Sequence, residues 1–398
     1  MSQPRPLDGI LVLDFSQFLA GPVAALRLAD LGARVIKIER PGSGDIGRQL
    51  AFAGLREGAD TLSFHAMNRG KESLAADLKD PESLDAVRRL AERADVIIQN
   101  FRPGVVQRLG LDYESLRERN PGVVYGSISG YGEQGPWRSR PGQDLLAQSL
   151  SGLPWLQDPH KPTPVGLSIA DHLASCHLAQ GVLALLFRRE RTGEGGLVET
   201  SLLEGMLDLQ FELLTARLSK PGQVKVEPRG DFSAHAFLPA PYGIYPTSDG
   251  YLSIAMNPVD KIGRLLDIEE IASITDPAQW WERQAEIEQL IASKLASGPT
   301  EQWLSTLDHA DVWCAPVNTL DQLVDSEGFR AIDMTQTVGR VEADGRAVTI
   351  ETLRSPLRID GSRPSNPGAA PVLGADTGRI SAEFGLPSIP SASSIGAS

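Results

Sequence analysis

Within its first forty residues the chain alternates strand, helix and strand, and no other feature narrows its fold as much. ILVLDFS (10–16) is a short β-rich apolar run, GPVAALRLADLGA (21–33) has helical spacing with a glycine near its end, and RVIKIER (34–40) is strand-like again. A strand, a helix and a strand in such close succession form a βαβ unit, and βαβ units build parallel sheets. The pattern continues with ESLDAVRRLAERA before DVIIQNF, and with DYESLRERN before VVYGSISGY. The opening half is therefore expected to be a doubly wound α/β domain.

Further along, PVGLSIADHLASCHLAQGVLALLFRRE (164–190) keeps its apolar residues to no single stripe. That predicts a helix buried on every side. An aspartate, Asp171, nevertheless sits in its first turn. GGLVETSLL and a second helix, EGMLDLQFELLTARL, follow. Near Lys220 the character changes, and SKPGQVKVEPRGDFSAH is polar and rich in Gly and Pro, as a linker is. PYGIYPTSDGYLSIAM carries a hairpin signal around Asp249-Gly250, and WWERQAEIEQLIASKLASG and PTEQWLSTLDHA read as helices. TVGRVEADGRAVTIETLRSPLRI is strand-like with a turn at Asp344-Gly345, and SRPSNPGAAPVLG is an extended run. A chain of 398 residues exceeds the roughly 250–300 at which one core stops growing. The expected division is a large α/β domain at 1–220, a smaller α+β domain at 221–330 and a C-terminal segment at 331–398.

A formal net charge of −13 argues against a general nucleic-acid footprint, so any anion must be held by a local basic cluster. Two cysteines, Cys176 and Cys314, have neither disulfide-framework nor zinc-like spacing. The opening MSQPRPLDGILVLDF lacks a basic leader and cleavage site, and no stretch comes near the roughly 20 apolar residues that span a bilayer. The expectation is a cytoplasmic protein with no membrane or nucleic-acid partner.

Several local signals bear on chemistry. Gly42, Gly44 and Gly47 fit G-x-G-x-x-G, but they follow the second strand, whereas a dinucleotide fingerprint lies between the first strand and its helix. They are better read as a loop at a strand's C-terminal end, where open α/β sheets bind ligands. Lys37, Arg40, Arg69, Lys71, Arg102, Arg108, Arg138 and Arg140 fall near strand ends and could clamp phosphates, although solvated surface charge gives the same pattern. NFRPG (100–104) favours the clamp by placing Asn, an aromatic and Arg in one such loop. His172 and His177 are five apart and do not share a helix face, so no metal site is expected. No G-x-S-x-G or H-E-x-x-H occurs. Asp171 has two readings: a first-turn acid favoured by the helix dipole, or a nucleophilic carboxylate kept ionised by helix N–H groups.

These stretches together resemble the class III CoA-transferases, a family that includes formyl-CoA transferase and the carnitine and bile-acid CoA-transferases, with 2-methylacyl-CoA racemases as relatives. The likeness covers nearly the whole chain, from PLDGILVLDFSQFLAGP through LGARVIKIERPGSGD, NRGKESLAADLK and NFRPGVVQRLGLDYESLRERNPGVVYGSISGYGEQGPW. It continues in RPGQDLLAQSLSGL, the IADH region, RTGEGGLVETSLLEGML, PYGIYPTSDGYLSIA, CAPVNTLDQLVDS and APVLGADT. The resemblance implies a Rossmann-like large domain with a parallel sheet and a smaller domain. It also implies an interlocked homodimer in which the last segment returns to the large domain. Asp171 matches the catalytic aspartate. Gln17, Phe18, Ala20, Arg40, Lys71, Asn100, Phe101, Arg108 and Arg140 match CoA-contacting positions.

The activity so implied moves CoA from an acyl-CoA to a small carboxylic acid, with coenzyme A as substrate and no tightly bound cofactor. The alternatives are a racemase or epimerase on the same fold and a silent CoA-binding protein. Racemases of this group carry Gly-His-Asp, whereas this chain reads Gly142-Gln143-Asp144. A glutamine cannot serve as the second base, and Gln143 is expected instead to hydrogen-bond the substrate or Asp171. The family's glycine-rich lid corresponds to HAFLPAPYG here, with no glycine run, and Leu19 stands where formyl-CoA transferase has a substrate-facing glutamine. Both differences point to an acid larger or less polar than oxalate, with succinyl-CoA as donor by analogy.

Overall fold

The computed structural model describes residues 5–389 apart from 51, 159, 225–230, 343, 365 and 388. Six strands, β1 (Leu11–Asp14), β2 (Arg34–Glu39), β3 (Glu72–Ala75), β4 (Val96–Gln99), β5 (Val124–Ser129) and β6 (Gly196–Ser201), form one sheet in the order β3-β2-β1-β4-β5-β6. Every pairing is parallel, and Val12 lies opposite both Val35 and Val96. Val12, Leu13, Ile36, Ile97 and Ile98 are wholly buried, as expected where helices cover both faces of a parallel sheet. This is the doubly wound α/β fold expected from the alternation, with the strand order of a Rossmann sheet.

Local sequence places the helices. Helix α1 (Ala20–Asp30) is built largely of small and aliphatic residues and is almost entirely buried. Helix α2 (Pro81–Ala91) starts where Asp80 accepts the Ser83 N–H and Pro81 fills the first helical position. Helices α3 (Asp144–Ser151), α4 (Ile169–Thr192) and α5 (Leu202–Leu209) complete the set that concerns the site. Gly181 lets α4 lie close to β6, because a Cβ there would come within 2.5 Å of Val198.

Helix α4 departs from expectation in two ways. Its buried residues, Ala170, Ala174, Ser175, Leu178, Ala179, Val182 and Leu186, form one face. That face packs towards β5, β6 and α1. The other face is open, with Phe187 66% exposed and Cys176 exposed. An apolar helix is buried all round only if something also covers its second side. By length and composition α4 also suffices to cross a membrane, with a mean hydropathy of 1.3, where the sequence reading expected no such stretch. The same composition suits a helix laid across a sheet, which is how α4 is used.

The chain divides into two compact units. One runs through residue 151, resumes over 165–211 and takes everything from 334 onward; the other comprises 152–164 and 212–333. In the first, Thr335–Val341 and Ala347–Leu353 pair as an antiparallel hairpin. The chain then runs beside β3: Ser73 O accepts the Asp376 N–H at 3.1 Å, and Asp376 Oδ2 accepts the Ser73 N–H at 2.9 Å. That segment covers an edge otherwise open to pairing. The second unit has a three-stranded antiparallel sheet, including the expected hairpin Gly243–Pro246 and Tyr251–Ile254, with helices around a core of Tyr245, Leu252, Ile287, Ile291 and Leu307. Part of the expected linker, 225–230, lies outside the described residues.

Candidate active site

In a sheet of this order the strands reverse direction of succession between β1 and β4, and the crevice beyond their carboxyl ends is where such folds bind ligands. The β1–α1 loop carries Gln17, Phe18 and Ala20, and Asn100 and Phe101 follow β4. The structure ties these loops together. Asn100 Oδ1 accepts the Gln17 N–H at 2.9 Å, and Asn100 Nδ2 donates to the Gln17 carbonyl at 2.7 Å. Phe18 has a φ of 67° and an outward ring, and its N–H donates to Asp45 Oδ1 at 3.2 Å. The loop of Gly42, Gly44 and Gly47 thus supports the first loop through Asp45, which also accepts the Gly47 N–H. Phe101 packs partly against the sheet core.

The basic residues near the strand ends divide into two groups. Arg40, Arg102, Arg108, Arg138 and Arg140 are exposed. Lys37, Arg69 and Lys71 are buried and committed elsewhere. Lys37 Nζ donates to the Ser16 carbonyl at 2.8 Å and pairs with Asp45 at 2.9 Å. Arg69 forks onto Asp30. Lys71 Nζ donates to Asp14 Oδ2 at 2.8 Å, to the Pro22 carbonyl at 2.8 Å and to Asn68 Oδ1 at 2.9 Å. Three donors on three internal acceptors leave none for a phosphate. The Lys71 ammonium is thus held within the fold beneath the first loop.

Asp171 occupies the first turn of α4 and is partly buried. The backbone of Ala20, at the start of α1, lies near enough to favour the ionised form of its carboxylate. Burial and the neighbouring Asp144 carboxylate together push its pKa up to about 7, against which the Ala20 backbone works. The expectation that the N–H groups of its own helix keep Asp171 ionised is thus corrected. The Ala170 and Asp171 N–H groups are taken by Asp144 Oδ1, at 2.6 and 3.2 Å.

Gln143 does not reach Asp171 by any hydrogen bond among the described residues. Its carbonyl accepts the Leu146 and Ala147 N–H groups at the start of α3, and its side chain is exposed. The residue that meets Asp171 is the next one, Asp144. The signal for it lies in the same motif, at the last position of Gly142-Gln143-Asp144 and not at its middle one. Gly142 fixes the motif against the end of β5. A Cβ on Gly142 or on Gly130 would lie 2.6 Å from the other's Cα, so neither tolerates a side chain.

A cavity of about 130 Å³ opens beside Phe101 and Arg102, with Gln99, Ser127, Glu133 and Glu199 in its walls. Burial, Glu133 and Glu204 hold the Glu199 carboxyl above its usual range. Asp171 does not line this cavity. Among the described residues no group of His, Cys, Asp and Glu could hold a metal ion.

The model of CoA-transferase family III matches residues 7–377. The chain is 33% identical to the succinate–glutarate CoA-transferase of Agrobacterium fabrum, covering 95% of this chain and 96% of that protein. It is 35% identical to the probable fatty acyl-CoA transferase Rv3272 of Mycobacterium tuberculosis, covering 89% and 92%. Among solved structures, a CAIB/BAIF family protein from Brucella suis superposes with a TM-score of 0.82 at 31% identity, covering 96% of this chain and all of that one.

Proposed function

This chain belongs to CoA-transferase family III and is an enzyme that moves CoA from an acyl-CoA to a free carboxylic acid, and we propose that Asp171 carries the transfer. The supporting observation is the setting of its carboxylate: partly buried in the first turn of α4, with Asp144 on the backbone of that turn and a pKa raised to about 7.

The path is a sequence of acyl exchanges. An Asp171 oxygen attacks the donor thioester carbonyl; the C–S bond breaks, giving a mixed anhydride and CoA thiolate. The thiolate attacks the aspartyl carbonyl and releases the donor acid, leaving an aspartyl-CoA thioester. The acceptor carboxylate attacks that carbonyl and expels the thiolate. The thiolate then attacks the acceptor's acyl carbon, forming the new acyl-CoA and restoring the Asp171 carboxylate. A carboxylate suits this path because its anhydride is at least as reactive as a thioester, whereas a serine ester would be an energy sink. Each intermediate must be kept from water. Backbone N–H groups such as that of Ala20 stabilise the oxyanions.

Gln17, Phe18, Ala20, Asn100 and Phe101 form the crevice wall for CoA, and the exposed Arg40, Arg108 and Arg140 are the cations for its phosphates. Lys71 supports them from below. The donor is succinyl-CoA and the acceptor a dicarboxylic acid larger than oxalate. Relatives named for succinyl-CoA with glutarate, D-citramalate and mesaconate support that choice. The working unit is a homodimer. The open face of the first unit, with Leu145, Leu167, Phe187, Leu207 and Phe211 all exposed, is apolar surface that a second copy would cover.

The test is to supply succinyl-CoA with a panel of acids, follow product thioesters by mass, and trap the aspartyl anhydride or aspartyl-CoA thioester with hydroxylamine. A modified peptide containing Asp171, absent from Asp171→Ala, is expected. Turnover by Asp171→Ala at the parent rate would overturn the reading, and preference for oxalate would overturn the choice of acceptor. Light scattering is expected to give the mass of two chains, and Phe187→Asp to lower the melting temperature of that dimer.

A further inference from the structure

We propose that Asp144 is a positioning residue for the transfer, holding the first turn of α4 in place while setting its own charge against that of Asp171. The proposal rests on Asp171 as the nucleophile.

The opening N–H groups of a helix have no partner within it. In α4 the residue before the first turn, Ser168, gives no side-chain cap. Asp144, projecting from another helix, takes that place. Its Oδ1 accepts the Ala170 and Asp171 N–H groups at 2.6 and 3.2 Å, and its Oδ2 accepts Gln148 Nε2 at 2.6 Å. Gln148, one turn further along α3 and 1% exposed, accepts the Val165 N–H on its Oε1 at 2.9 Å. Two side chains of one helix face thus hold the chain entering α4 from residue 165 to residue 171. The start of α3 is itself fixed to the sheet, because Gly142 lies back to back with Gly130 at the end of β5. A rigid line therefore runs from the strand ends through Asp144 to the backbone of the nucleophile.

A neutral cap such as serine would satisfy the same N–H groups. A carboxylate adds a negative charge beside Asp171. The other groups near Asp171 offset it only in part. From α1 come the Ala20 backbone and Arg27, whose charge is felt at His172. On α5, Asp208 pairs with His177 and Glu204 bonds Ser201 Oγ. Asp144 thus keeps the proton affinity of Asp171 high while fixing its position.

The test separates the two roles. Asp144→Asn keeps an acceptor and removes the charge, and Asp144→Ala removes both. In protein carrying 13C-labelled aspartate carboxyls, with the Asp171 signal assigned by its loss in Asp171→Asn, Asp144→Asn should move the Asp171 titration midpoint down by about one unit. That readout needs no turnover, so it stands even if Asp171→Ala proves active and the nucleophile reading fails. In turnover, Asp144→Ala should lower kcat about 10- to 100-fold with KM for the acyl-CoA unchanged. Asp144→Asn should recover most of the rate and shift the acid limb of the pH profile downward. An unmoved midpoint in Asp144→Asn, or an unchanged kcat in a folded Asp144→Ala, would overturn the proposal.

Discussion

Two carboxylates in the same unit, Asp14 at the end of β1 and Asp171 at the start of α4, meet opposite fates. Burial by itself would raise both pKa values. Around Asp14 the neighbours are Lys37 and Lys71, with Ser16 donating its N–H and hydroxyl, and the pKa falls to about 2. Around Asp171 the neighbour is another carboxylate, and the pKa rises to about 7. The sign of the nearest charge decides which way each pKa moves. Asp14 is a strut whose proton never returns near neutral pH. Asp171, with a pKa raised to about 7, takes up and loses its proton near neutral pH, as the role proposed for it requires.

The strongest way to break this contrast is to delete each centre. Asp171→Ala should lower kcat/KM by at least about 10³-fold while the fold survives, because a partly buried acid with a raised pKa does not hold the structure together. Lys71→Met should do the reverse. Removing one partner of a buried ion pair costs about 3–5 kcal/mol, so the melting temperature should drop steeply. The ratio of affinities for CoA and 3′-dephospho-CoA should stay as it was. A stable Lys71→Met protein that no longer distinguishes the two would return Lys71 to the phosphate.

A smaller effect sharpens the comparison through pH. The folded pKa of Asp171 lies above its unfolded value of 3.8, so its contribution is whole below that value and is lost as pH rises to about 7. Asp171→Asn should therefore be more stable than the parent, by a margin that widens from about pH 4 to pH 7 and then levels at no more than a few kcal/mol. Asp14 has the opposite sign. Its pairing stabilises the fold above its unfolded value and is lost as pH falls towards about 2. In the parent, kcat/KM should rise with pH through an apparent pKa near 7, since attack needs the ionised carboxylate. Melting curves and rates between pH 5 and 8 check both, and a flat profile would contradict the setting assigned to Asp171.

The sheet was legible because its information is local. Apolar runs such as LVLD and RVIKIE, separated by a short helix, admit few arrangements, and right-handed crossovers fix the face on which each helix packs. Asp171 stood out as a charge in an apolar helix. What was not legible is set by contacts between distant segments. Nothing near Lys71 in sequence says that it will meet Asp14, 57 residues away, nor does anything near Asp144 say that it will cap a helix beginning 25 residues on. The outward face of α4 was not legible for a different reason: apolar composition marks a helix as suited to burial without saying on how many sides.

The smallest expected effect concerns the cations that remain outside. Arg40, Arg108 and Arg140 differ from Lys37 and Lys71 in facing solvent, where attraction to a phosphate is weakened by water and by salt. Replacing Arg108 or Arg140 with alanine should raise KM for the acyl-CoA by about two- to tenfold, leave kcat and the melting temperature unchanged, and matter less as ionic strength rises. The same substitution assayed with the 3′-dephospho thioester identifies which arginine meets that phosphate, because its effect then disappears. If neither residue alters KM at low salt, the crevice between β1 and β4 must hold CoA through its backbone N–H groups and its aromatic wall, and the exposed charges are only surface.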